Sequence, residues 1–567
     1  MEKVSQEQYS SNYVDFKLSE KNCGKEPIHR PIVIHSHGAM IAWDITNPSI
    51  PLFFSENLPL IVGIDEFYIW SEEPKTWMPP KMFSAFMEWD QMEQWELQDP
   101  ITFTENNIEW NLIRHINSNI LIYEIEPANR IPRSELNEQD LFNRFRYVTR
   151  VFENYLDFES LFEAFCDRFR QVSGYDRVMV YQFDQDNHGF VVGESKKEGL
   201  ESFLGLHYPA TDIPKIAREL FLKNKSRIIP DVNNRYAKLH FNEEVEDIYG
   251  KLNLTFTQLR GTSPIHIQYL KNMGVQASLT YAIIVENKLW GLVACHNYEP
   301  LFVPFTARKV FEMITDALSV RISQLNFEIL RVEDEWYDNK LELFEQLLDT
   351  NSKPDLIDLT EVLEEDGSAV IDENFNVSSR GLSALPNVIK AITLWLDDEN
   401  KWSKSNSFFS DNIHSLLPNG INLSPEIGGL ACAKIPSSKN TVVFWFRRSQ
   451  ETIYQWAGDP SQPYEVAENA EGTFSMGPRR SFERWKSAVQ LESEPWSKTS
   501  LKIIEELSLL VGKRIVASDG GLGATKDEIN ERIEMIKNSL GNGESNINAE
   551  AQEQLLALQR LVNNFKS

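Results

Sequence analysis

Apolar and polar positions alternate in short runs near the start of the chain. Residues 31 to 72 hold "PIVIHSHGAMIAWDI" and "LPLIVGI" between polar breaks, the pattern of strands in a small mixed domain. The stretch "EPANRIPRSEL", 126 to 136, reads as its exit linker. A helical stretch from about residue 140 then leads into "DRVMVYQF" and "GFVVGES", two β-rich runs joined by the turn-like "DQDNH", so a second α+β domain begins there. Its later part, "ASLTYAIIVENKLWGLVACHNY", predicts a hairpin turning at Glu286, Asn287 and Lys288. Phe311, Ile314, Leu318, Ile322, Leu325, Ile329 and Val332 follow at spacings of three and four, one apolar seam along a helix of several turns. Two readings of that seam stand: a spine joining two domains, or a long core helix of one. The runs "GSAVIDENFNVSS" and "NTVVFWFRRS" imply a third α+β domain. Residues 449 to 497 hold three tryptophans and four prolines but little sustained period, and a long insertion of that aromatic content reads as functional rather than disordered. After "SDGGLGAT" two helical stripes, Ile529, Ile533, Ile536, Leu540 and Leu555, Leu558, Val562, Phe565, predict a hairpin split at "GNGESN".

Length adds that one core is too few: 567 residues call for three or four domains. A net charge of −28 repels phosphate backbones and anionic lipid, which argues against nucleic acid and membrane partners. Cys23, Cys166, Cys295 and Cys432 lie far apart without a CxxC pair, so neither a disulfide framework nor a zinc ribbon is expected and a reducing compartment fits. No signal segment or apolar run of membrane-spanning length is present in the sequence, so a soluble cytoplasmic protein is expected.

Candidate chemistry begins at "GLHYPATDIPKIARELF". Ile213 precedes a proline and is biased towards extended backbone, and Pro214 suits the first turn of a helix. Asp212 is then either a plain N-cap or a residue whose carbonyl faces a ligand donor while its carboxylate stays free for a cation. Arg227 and Arg260, with Ser263 and His266 close to the latter, are either surface charges or a set of forks for an anionic ligand. His266 and His296 each also read as satisfied core histidines. Cys23 stands among polar residues, with His29, His35 and His37 nearby; a metal site is conceivable although the spacing matches no common zinc site, a reactive thiol is the sharper reading, and an idle surface cysteine is the bland one. Arg479, Arg480, Arg484 and Lys486 gather in an acidic chain, a pattern suited to an internal ion pair.

The order of these motifs is more telling than each alone: "NCGKEPIHRP", "YPATDIP", "GTSPIHIQYLKNMG", "LWGLVACHNY", "WAGDP" and "GPRRSFERW". The series resembles the photosensory core of the bacteriophytochromes over roughly residues 10 to 510. The resemblance implies an α+β fold of three tandem α/β sensory domains joined by long spine helices, with a figure-of-eight knot around Ile34 and a C-terminal helical hairpin. Its domains would be PAS at 1–132, GAF at 133–320, PHY at 321–510 with a tongue at about 449–497, and a partner-docking or dimerising tail at 511–567. It implies biliverdin joined by a thioether to Cys23. Asp212 would offer its carbonyl to the pyrrole N–H groups and its carboxylate to Arg479. Arg227, Arg260 and Ser263 would hold the propionates, His266 would order the inner water and protons, and His296 would bond the D-ring carbonyl. Tyr181, Phe203 and Tyr208 would line the cavity of that ring, with Ile213, Pro214, Phe221, Tyr269 and Met273 completing the walls. On switching, Asp212 would exchange Arg479 for Ser481 as the tongue, with Trp456 in its stem, changes from hairpin to helix.

Departures from the family pattern sharpen the expectation. Ile265 stands where plant-type and cyanobacterial relatives attach their bilin through cysteine, which favours biliverdin. Phe221 replaces a common tyrosine, Thr211 a serine, Ser36 a proline and Ala457 a glycine. All ten histidines lie at or before His414, so the tail offers no phosphoacceptor histidine. The expectation is a red and far-red photoreceptor, dimeric through its spine helices, without catalysis or a resident metal, whose tail docks a downstream signalling protein. The alternative is the sensory part of a light-regulated histidine kinase or diguanylate cyclase.

Overall fold

The computed structural model describes residues 26–518 except 47–49, 92–99, 118, 129–137, 185–186, 350–356, 358–359, 364, 404–405, 437, 439, 460–463, 469–473 and 479–483. Cys23, Arg479, Ser481 and the residues expected to form the tail hairpin therefore lie outside the described residues. The chain divides into two compact units, and residues 454–487 belong with the first.

The first unit opens with β1 (Val33–His35), β2 (Ala39–Asp44), β3 (Phe53–Ser55), β4 (Ile101–Glu105), β5 (Ile108–Asn117) and β6 (Ile120–Pro127). It continues with β7 (Arg177–Phe183), β8 (Gly189–Lys196), β9 (Leu206–Tyr208), β10 (Ser226–Ile229), β11 (Tyr236–Phe241), β12 (Ala277–Val285) and β13 (Lys288–Asn297). One sheet runs β1-β11-β3-β2-β6-β5-β4, so β11 is inserted into a sheet otherwise built from the first 127 residues. Val33 pairs with Lys238 across that junction, while His35 N–H donates to the Leu259 carbonyl at 2.8 Å. The segment around Ile34 is thus held by the later chain on both sides.

The second sheet runs β10-β12-β13-β7-β8-β9 and continues onto Gln455 and Trp456, which pair in parallel with Leu206 and His207. Behind it packs the helix Phe158–Ser173, capped at its start by Asp157, whose side chain accepts from Ser160 N at 2.8 Å, and ended by Gly174 at φ 77. Its Leu161, Phe162, Phe165, Cys166, Phe169 and Val172 fall on one face and are buried. Full burial of each phenylalanine contributes about 2 kcal/mol or more. The β12–β13 turn has Glu286 and Asn287 at φ 50 and 61, the two left-handed positions of a tight hairpin.

The apolar seam lies on a helix of 45 residues, Phe305–Asp349. Phe311, Ile314, Leu318, Ile322 and Leu325 belong to the core of the first unit, whereas Ile329 and Val332 are exposed. The seam is a core face for its first half only, and the same helix carries the chain onward.

In the second unit a sheet runs β15-β14-β18-β17-β16, built from β14 (Gly367–Ile371), β15 (Val377–Gly381), β16 (Ser407–Ser410), β17 (Ile427–Lys434) and β18 (Val442–Arg448). Both its faces are covered. Val442, Phe444 and Phe446 pack with Ile389, Ile392 and Leu396 of the helix Pro386–Asp398, and the alternate Val443 and Trp445 pack with Ile503, Ile504 and Leu507 of the helix Lys498–Ser518. The long insertion is strand-rich: Gln450–Ala457, Tyr464–Glu468, Phe474–Pro478 and Arg484–Glu492 are extended, and the middle two pair antiparallel. Main-chain pairing needs no side-chain period, which is why the sequence pattern carried no strand signal there. Among the described residues no helix is long and apolar enough to cross a membrane.

Candidate functional site

Period-two alternation divides the second sheet into a sealed face and an open one. Val178, Val180, Leu279, Tyr281, Val293 and Cys295 point into the core behind it, while their neighbours Met179, Tyr181, Ser278, Thr280, Leu292, Ala294 and His296 line a cleft. The cleft holds about 1770 Å³ of empty space, its open mouth included. Gly189 packs against the Tyr181 ring, with which a Cβ there would collide.

The rest of the lining comes from residues 211–224, between β9 and β10, and from the helix Pro264–Asn272. Pro214 is the N-cap of the helix Lys215–Phe221, one position before the expected first turn, and Asp212 makes no cap. Its carboxylate instead accepts from the Tyr269 hydroxyl at 2.8 Å, which sets aside the plain N-cap reading. Tyr269 and His266, three apart on their helix, present rings 6.2 Å apart and nearly parallel. Met273 caps the same helix at its C-terminus.

One end of the cleft is cationic. Arg227 of β10 donates to the Arg260 carbonyl and, at 2.8 Å, to Thr262 Oγ1, and Arg260 donates to the carbonyl of Thr255 at 3.3 Å. Ser263 Oγ donates to Glu26 Oε2 at 2.8 Å, bringing a buried carboxylate to the same wall. The histidines are neutral by contrast. Burial, with Arg177 as the next cause, holds His296 down to about 3. Burial and Arg227 likewise hold His266 below the ordinary range. The His266 ring is surrounded by protein yet accessible, because its free face is the cleft wall. His296 is 8 % exposed, and its Nδ1 has no hydrogen-bond partner among the described residues. A buried polar atom left in this way is costly, and Nδ1 lies on the side of the ring turned into the protein.

Of the residues singled out from sequence, Tyr181, Tyr208, Asp212, Ile213, Pro214, Phe221, Arg227, Arg260, Ser263, His266, Tyr269, Met273 and His296 all line this cleft. Phe203 does not. Its ring lies 3.8 Å from the Arg177 guanidinium in a cluster with Leu206 and Tyr208, behind the wall it was expected to form. Trp456 is also off the cleft lining, with its ring 5.6 Å from those of His188 and His207. Sequence reasoning missed Glu26, Thr262, Ser278 and Thr280; the last two were legible as polar residues in phase with His296 across the hairpin.

The arrangement suits a largely apolar ligand with anionic groups at one end and a hydrogen-bonding group for a neutral imidazole. Comparisons with known proteins bear on its identity. Three family models match in series: a PAS fold at residues 23–128, a GAF domain at 157–322 and a phytochrome region at 339–518. Cyanobacterial phytochrome B of Nostoc sp. is 29% identical over 522 residues, covering 88% of this chain and 67% of that one. A bacteriophytochrome of Pseudomonas aeruginosa is 30% identical over 520 residues, covering 86% and 66%. The chain spans half to two thirds of the length of the curated relatives it matches. Among solved structures, a bacteriophytochrome of R. palustris superposes with a TM-score of 0.70 at 26% identity, covering 88% of this chain and 99% of that one. The photosensory core module of a Stigmatella aurantiaca phytochrome gives 0.70 at 25% identity, covering 90% and 100%.

Proposed function

We propose, given that this chain belongs to the phytochromes and has the PAS, GAF and PHY series of a bacteriophytochrome photosensory module, that it is a red and far-red light receptor carrying biliverdin on Cys23. The observation that carries this reading is one cleft with two guanidiniums at one end and the neutral His296 imidazole in its wall. A tetrapyrrole with two propionates and a terminal lactam fits that donor set. When bound, the pigment supplies the photochemistry, a light-driven Z/E isomerisation about its C15=C16 bond.

The protein's part follows from its own groups. Arg227, Arg260 and Ser263 would hold the carboxylates, with guanidinium forks suited to bidentate contact. His296, neutral, would donate a ring N–H to the lactam carbonyl, and His266 would hold the inner protons and water. Tyr181 and Tyr208, whose rings lie 5.9 Å apart, would bound the space in which that ring turns, backed by Phe203. Asp212, Ile213, Pro214, Phe221, Tyr269 and Met273 would form the remaining walls.

Signalling in this reading needs two nearly equal packings of the tongue, with Asp212 exchanging Arg479 for Ser481 and the strand carrying Trp456 released. The strand pairings of the insertion support this reading as the extended one of the two packings. Association into a homodimer would use the long helix, where Met313, Val320 and Phe327 are exposed at a seven-residue spacing. The signal would then pass either to a separate partner or to a kinase or cyclase domain, since the relatives extend beyond the matched length. We place the protein in the cytoplasm.

A denaturing gel with zinc-enhanced fluorescence tests the attachment. Biliverdin should travel with the wild-type chain and leave Cys23→Ser; a band that persists in the variant contradicts Cys23 as the anchor.

A further inference from the structure

Glu124 and Glu126 stand two apart on β6, and both are fully buried. That spacing puts both carboxylates on one face of the strand. Glu126 takes the Arg308 guanidinium with both oxygens, at 3.0 and 2.9 Å. Glu124 is used differently: its Oε1 accepts from Gln258 N at 3.0 Å and its Oε2 from Leu259 N at 2.6 Å. Those two amides open the loop that makes the cationic end of the cleft. Two residues further on, the Arg260 carbonyl accepts from Arg227, as does the Thr262 hydroxyl. The loop is also stitched to β1, by His35 N to the Leu259 carbonyl at 2.8 Å and Gly261 N to the Val33 carbonyl at 3.0 Å.

We propose that Glu124 is the positioning residue for the carboxylate-binding end of the cleft. From the first sheet it fixes the loop on which Arg260 rides and against which Arg227 is aimed, and so sets the preference for a ligand with free carboxylates. The proposal rests on biliverdin being the ligand. It differs from a general packing role because a two-amide grip requires both oxygens as acceptors, which the ionised form provides most strongly.

Among the described residues three charged or titratable side chains face Glu124. His115 Nδ1 of β5 lies 3.6 Å away, neutral because burial lowers it to about 4; Glu126 lies on the same strand, and Arg308 comes from the long helix. Burial pushes Glu124 up to about 7, against the two amides and Arg308 that favour its ionised form. Its charge therefore changes in the neutral range, and the preference for free carboxylates strengthens as pH rises through about 7.

Glu124→Gln keeps the size but turns one oxygen acceptor into an amide donor facing an N–H. In the bilin-free protein, deuterium exchange at Gln258 and Leu259 should quicken at least about tenfold. The ratio of affinities for biliverdin and its dimethyl ester should fall by about tenfold. In the wild type that ratio should drop between pH 8 and pH 6, and in the variant it should stay flat. Thr262→Val, which removes an acceptor of Arg227 at the other end of the loop, should lower the ratio without changing exchange at residues 258 and 259. Unchanged exchange in Glu124→Gln, or an acid-to-ester ratio equal to the wild type's, overturns the proposal. If the wild type takes up neither compound, the biliverdin reading falls and takes this proposal with it; uptake of both with an unaltered ratio in the variant defeats the proposal alone.

Discussion

The Tyr269 hydroxyl donates to Asp212 Oδ2 at 2.8 Å, joining two segments of the cleft lining 57 residues apart in the chain. Asp212 thus has a protein donor in the bilin-free state. Tyr269→Phe removes that donor while keeping the ring against His266, and the net cost of one such bond is about 1 kcal/mol. Urea unfolding of the bilin-free variant should show a loss of this size. A midpoint equal to the wild type's would mean that the pair contributes nothing.

The thiols offer a second test. Cys166, Cys295 and Cys432 are buried, and burial pushes each of their pKa values well up, so none presents a thiolate to solvent. Iodoacetamide applied to the native, bilin-free protein should modify Cys23 alone and thereby block covalent pigment attachment. Peptide mapping that finds Cys166, Cys295 or Cys432 alkylated before denaturation would contradict the packing described.

Stability should fall in mild acid. His35, His115 and His296 are buried with lowered pKa values, the last two to about 4 and about 3, against an ordinary 6.5. Below pH 6.5 the unfolded chain takes up protons that the folded one refuses, so the stability these groups allow is lost as pH falls from there. Each contributes up to about 1.4 kcal/mol per pH unit. Glu124 acts in the opposite sense: its raised value means that stability declines as pH climbs from 4.5 through about 7. Three histidines outweigh one carboxyl, so the melting temperature should peak near pH 6.5. A profile still rising as pH is lowered to 5 would refute the assignment of buried neutral histidines.

These charged and neutral buried groups mark the limit of what was legible in the chain. The apolar seam, the hairpin turn at Glu286 and Asn287, and the order of cleft residues from Asp212 to His296 were readable, because each is local or rests on a motif. "LIYEIEP" was not. Its alternation places Glu124 and Glu126 on a solvent face by ordinary strand logic, yet both are buried because the 258–259 loop and Arg308 cover that face from more than 130 residues away. Phe203 was misplaced for a related reason. The buried ion pair of Arg177 with Glu194, whose carboxylate also accepts from Phe203 N at 3.0 Å, draws the loop beneath the cleft wall, and no local pattern encodes that pair. Strand pairing in the insertion likewise escaped, since it is written in the main chain.

Arg308 gives the mutation with the largest expected effect. It is 2 % exposed, bonds both oxygens of Glu126 and donates to the Val303 carbonyl at 2.7 Å. Arg308→Met leaves a carboxylate buried without its cation, at a cost of about 3–5 kcal/mol. Adding Glu126→Leu should recover much of that loss, since the stranded charge is then gone. Equal urea midpoints for the single and double variants would show that the ion pair is not what holds the long helix to β6.

The account turns on a pigment held in the cleft and isomerised there by light. The direct measurement is the absorption spectrum of the purified protein after biliverdin is added, taken in darkness, after red light and after far-red light. A red band that gives way to a far-red band and returns under far-red light is the predicted result. A protein that stays colourless, or one whose bound pigment keeps the same spectrum under every illumination, contradicts it.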